Sequence, residues 1–100
     1  MNFRDTLNKA KQENILAWEL YTAHETERCL WNNDIDYTPE QFENLCQFVY
    51  HRIMSTDTMP YYVAGAALDV LHKTDKYTLD KPLISQFGFD EDVDDVLASY

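Results

Sequence analysis

The sequence predicts an all-α fold: a small bundle of four to five helices around a single core, joined by short polar loops. Three observations carry this. The chain holds only two Gly and three Pro in 100 residues, too few for the many turns of an all-β domain. Apolar residues recur at three- and four-residue spacing over long stretches. One segment, Thr38-Pro39-Glu40-Gln41, is a helix start written out in full.

Each helix has its own signal. Residues 3–31 lack Gly and Pro, and Phe3, Leu7, Ala10, Asn14, Ala17, Trp18 and Tyr21 form one helical stripe. A second stripe, Leu16, Leu20, Ala23, Glu27 and Leu30, lies beside it and predicts a helix contacted on more than one side. Gln12-Glu13-Asn14 is its weakest point, where a kink or break is expected. Residues 32–37 read as a loop. Thr38 caps the helix over 39–55, Pro39 fits its first position, and Gln41 reaches back to complete a capping box. Phe42, Leu45, Cys46, Val49 and Ile53 form its apolar face, widened by Phe48 and Met54. Pro60 opens the helix over 60–73, whose small interior, Val63-Ala64-Gly65-Ala66-Ala67-Leu68, predicts close packing at the centre. A short helix over 81–87, capped by Asp80 and stopped by Gly88, competes with a strand at 77–79 or 83–87. A last helix over 91–99, capped by Asp90, turns Val93, Val96, Leu97 and Tyr100 inward.

Hydrophobic residues make up 45% of the chain, enough for one core in a domain of this size. One domain over 1–100 is expected. No stretch approaches the ~20 apolar residues of a membrane span, and the first residues lack the apolar core of a signal peptide. Cys29 and Cys46 are too few for a disulfide scaffold. Together these predict a cytoplasmic protein with two buried thiols.

The formal net charge is −10, from 18 acids and 8 bases. Direct nucleic-acid binding and an anionic membrane surface are disfavoured; another protein, basic or a second copy, is the expected partner. The charge is uneven. Residues 1–31 hold five acids and four bases, residues 32–60 five and one, and residues 61–100 eight and three.

Four constellations bear on function. Asn32, Asp34, Asp36, Thr38, Glu40 and Glu43 fall at positions 1, 3, 5, 7, 9 and 12 of a degenerate EF-hand-like frame over 32–43. Tyr37 stands where that loop needs Gly, and the capping box starts a helix inside it, so a capped helix is favoured over a calcium site. His24 with Cys29, and Cys46 with His51, suggest zinc, but five residues turn a helix by roughly 500°, leaving each pair about 140° apart. His24-Glu25-Thr26-Glu27 opens like a zinc-protease helix, but Arg28 replaces the second His. No nucleophile elbow or Gly-rich phosphate loop is present, so neither catalysis nor a cofactor is expected.

The third constellation is acidic: Asp34, Asp36, Glu40 and Glu43, with Asp90, Glu91, Asp92, Asp94 and Asp95. Spaced like a phosphate backbone, these would face a basic nucleic-acid-processing protein. In size and charge the chain resembles the small acidic inhibitors of phages and mobile elements, anti-CRISPR and anti-restriction proteins among them, although no motif extends the likeness to single residues. The fourth is aromatic: Tyr61, Tyr62, Tyr37, Trp31, Phe89 and Tyr100 lie at predicted element ends, where half-wet rings suit an interface. The leading expectation is a non-enzymatic interaction or regulatory module that uses this aromatic and acidic surface. A charge-mimicking inhibitor is the first alternative and a calcium-responsive module the second.

Overall fold

The computed structural model describes residues 3–87 and 90–99, and among these it forms six helices and no strand. They are α1 (Phe3–Glu13), α2 (Ile15–Asn32), α3 (Pro39–Ser55), α4 (Pro60–Lys73), α5 (Leu83–Gln86) and α6 (Asp90–Leu97). Gly88, Phe89 and Tyr100, with the expectations placed on them, lie outside the described residues, as do the side chains of Phe3, Arg4, Asp90 and Glu91.

The expected helix over 3–31 is two helices, divided at Asn14. Its backbone turns to φ −126°, ψ 46°, while its side-chain amide donates to Ala10 O at 3.0 Å. The Asn14 main-chain amide donates to the same carbonyl at 3.0 Å and its own carbonyl accepts from the Trp18 amide at 3.1 Å, so one residue leaves helical geometry between two intact ladders. Lys11, one turn earlier, then reaches across the fold. Its ammonium donates to the carbonyls of Ile53 and Thr56 at the end of α3, and it lies 5.5 Å from the centre of the Trp18 ring. Helix ends leave carbonyls without partners, and this buried lysine satisfies two of them.

The C-terminus of α2 closes in a Schellman motif. Asp34 takes a left-handed backbone (φ 55°), its amide donates to Trp31 O at 3.1 Å, and the Ile35 amide donates to Leu30 O at 3.1 Å. Chain reversal thus rests on Asp34, where Gly or Asn is usual. The start of α3 follows its sequence signal in every part. The Gln41 amide donates to Thr38 Oγ1 at 3.2 Å, and the Thr38 amide donates to Gln41 Oε1 at 2.9 Å. Tyr37 stacks on Phe42 across this start with ring centres 5.5 Å apart, a hydrophobic staple.

Helix α4 packs against α2, α3 and α6. Ala64, Ala66 and Ala67 are fully buried in it, and their small volumes let three neighbours approach one helix. The core joins them to Leu30, Leu45, Phe48, Val49, Ile53, Val63, Leu83, Phe87 and Val93. α5 is shorter than expected, because Pro82 stands before its first residue rather than inside it. Asp80, expected as its cap, instead accepts from Gln41 Nε2 at 2.8 Å. Gln86 fastens the segment before α5, with its Nε2 donating to Thr78 O at 2.7 Å and its Oε1 accepting from the Thr78 amide at 2.9 Å. α6 rests on α4, and an ion pair between Arg52 and Asp94 ties it to the end of α3.

Candidate functional site

Helix α2 carries its apolar residues on two sides but has neighbours on one. Thr22, Thr26, Cys29 and Leu30 are buried against the bundle. Leu16 and Leu20, the first half of the second stripe, are 69% and 64% exposed. The expected contact on that side does not form: α3 and α4 both pack on the Thr22–Leu30 face. Seven large hydrophobic side chains are exposed among the described residues, and all of them belong to α2 or to the recesses beside it. Ile15, Leu16, Leu20 and Trp31 lie on α2, Met59 and Tyr62 border it on the α4 side, and Ile84 faces it across α3.

The recess between α2 and α3 has a volume of about 560 Å³. Cys46, Tyr50 and Met54, one turn apart along α3, are half-buried and form its floor. Glu19 and Thr22 wall it from α2, while Gln47, His51 and Ile84 form the opposite rim. The recess between α2 and α4 is about 310 Å³ and is lined by Tyr21, Glu25, Arg28, Met59, Tyr61 and Tyr62. There Arg28 lies 5.5 Å from the Tyr61 ring centre, and Asn32 Nδ2 donates to the Tyr61 hydroxyl at 3.1 Å. Tyr61 is therefore partly structural, whereas Tyr62 is more than half exposed.

The two acidic groups are not drawn together. Glu40 and Glu43 occupy the first turns of α3, with Asp34 and Asp36 just before it. Asp94 is fixed to Arg52 near the other end of α3, thirteen residues on from Pro39, or about 20 Å of helix. Asp92 accepts from the Tyr77 hydroxyl at 3.4 Å and shares a recess with Asp95, Lys73 and Lys76. The C-terminal acids thus stand among cations of their own chain.

The 32–43 frame is divided between two helices. Asn32 ends α2, and Glu40 and Glu43 lie within α3. Asp34 supplies the left-handed stop and Thr38 the cap. Among the described residues, no three His, Cys, Asp or Glu side chains are grouped to hold a metal ion. No known protein family, curated protein or solved structure matches the chain.

The thiols differ in reach. Cys29 is fully buried, and its pKa is raised by that burial. Cys46 borders the α2–α3 recess, and burial pushes its thiol up to about 11. Thiolate, the reactive form, is then roughly a hundredfold scarcer near pH 8 than for an ordinary thiol. Alkylation of Cys46 by iodoacetamide, followed by peptide mass spectrometry, should be slow at that pH and accelerate as pH rises towards 11. Rapid labelling of Cys46 at pH 7 would contradict this assignment.

Sequence reasoning did not find the α2–α3 recess. Cys46 reads as part of the buried core face and Met54 as its widening, while Tyr50 carries no signal; only the placement of α2 leaves the three half open. Exposure of Leu16 and Leu20 was equally hidden, since periodicity identifies an apolar face and not its neighbour.

Proposed function

We propose that this chain is a non-enzymatic interaction module that binds another protein through the outward surface of α2 and the recesses beside it. One observation carries the reading: all seven large exposed hydrophobic side chains among the described residues gather on or around this helix. Scattered exposed apolar residues are ordinary, but a concentration on one element marks a contact surface. Trp31 and Tyr62 add the aromatic character that interface centres favour. A neutral thiol at Cys46 disfavours nucleophilic use of the recess.

The charge-mimicking alternative gains less support. Its acidic residues sit at opposite ends of α3, and Arg52 occupies one of them.

Capture of partners from host extract by the immobilised chain tests the proposal. The triple variant Leu16→Ser, Leu20→Ser, Trp31→Ser alters exposed positions only, so its far-UV circular dichroism should match the parent. Capture by the parent should persist at about 1 M salt, where the Debye length is ~3 Å. It should be lost in the variant. Unchanged capture by the variant, or loss of parental capture in salt alone, would refute an apolar interface on α2.

A further inference from the structure

We infer that the α2–α3 recess receives a basic amphipathic helix, two turns of which lie along the Cys46–Tyr50–Met54 floor. This rests on the interaction-module reading and names the chemistry of the partner.

Length argues for a helix. The floor residues are spaced four apart, so the floor follows α3 for about 12 Å, two helical turns. A partner helix with apolar side chains one turn apart matches that spacing, as helices seated in grooves do. Apolar surface also continues past the recess along α2, where Ile15 precedes Glu19 by one turn and is 49% exposed. A compact small molecule would fill the recess and leave Ile15 wet.

Charge argues for a cation. Glu19 stands on the rim, and its field reaches the Tyr50 hydroxyl. Glu43 lies one turn before Gln47, whose amide donates to it at 3.3 Å. Two carboxylates therefore border the recess, Glu19 in its wall and Glu43 held by the lining residue Gln47, while neither Lys nor Arg lines it. Apolar residues below with carboxylates at the rims complement a helix that has one leucine-rich face and lysines on its flanks. The net charge of −10 draws such a segment in at long range and turns away an acidic one.

A designed peptide of Leu and Lys at helical spacing is the probe, with a control in which Glu replaces every Lys. Both are titrated into the ¹⁵N-labelled chain. The basic peptide should shift the amides of Glu19, Thr22, Cys46, Tyr50 and Met54, with Kd between about 1 μM and 1 mM. The acidic control should not. The double variant Glu19→Lys, Glu43→Lys, at two exposed positions, should weaken the basic peptide roughly tenfold with the fold unchanged. Absence of shifts at about 1 mM peptide, equal binding of both peptides, or full affinity in the double variant would each overturn the inference. So would a short alkylamine that matches the peptide in affinity, since the recess would then suit a small cation. If the inference fails while the Leu16, Leu20, Trp31 triple variant still abolishes capture, the interaction-module reading survives without this partner.

Discussion

Phe87→Ala is expected to lower stability by about 3–5 kcal/mol, enough to reduce Tm by roughly 15–30 °C in a domain of this size. Phe87 is fully buried. Its ring meets Phe48 edge-on at 5.1 Å and Tyr77 edge-on at 4.8 Å. Truncation removes two aromatic contacts and opens a cavity where α3 meets the segment that holds α5. Rigid helices on either side leave little scope for collapse, which places the cost high in the usual range. Thermal and urea unfolding followed by circular dichroism would measure it. A loss below about 1 kcal/mol would mean that this ring does not join α5 to the core.

Lys11→Ala should be the second most damaging change, at about 2–4 kcal/mol. It removes a charged donor from the Ile53 and Thr56 carbonyls and strips the cover from Trp18. Lys11→Met, which retains most of the volume, should cost less. The pH dependence has a definite sign. Burial lowers the Lys11 pKa below its ordinary 10.5, with Asp57 pulling it partly back. Between the folded pKa and 10.5 the unfolded chain binds more protons, so this group adds stability as pH rises through that window. A neutral amine retains N–H groups to donate. The stability advantage of the parent over Lys11→Met should therefore grow as pH climbs towards 10.5. An advantage that shrinks over that range would show that the charge itself, rather than the hydrogen bonds, holds α1 in place.

Much of the fold was legible because its signals are local. α3 and α4 begin and end at the expected residues, 39–55 and 60–73, since Thr38, Pro39, Gln41 and Pro60 act within one turn of where they stand. The division at Asn14 was visible as a polar cluster, though its backbone angles were not. Lys11 was illegible. In a run of polar neighbours it reads as a solvated charge, and only the distant end of α3 makes burial favourable. The candidate surface was half legible. Trp31 and Tyr62 stood out as aromatics at helix ends, but the α2–α3 recess depends on the spacing of two helices, which no short window contains. The acidic residues were all visible, yet their separation along α3 follows from the Arg52–Asp94 pair.

The Lys11 bonds also set an order of events during synthesis. Their acceptors lie 42 and 45 residues further along the chain. At ~5–20 residues per second, a ribosome needs about 2–9 s to reach Thr56 after Lys11 is joined. Through that interval the two α3 carbonyls that Lys11 caps do not yet exist. α1 can therefore take its buried position only once the end of α3 has joined the chain.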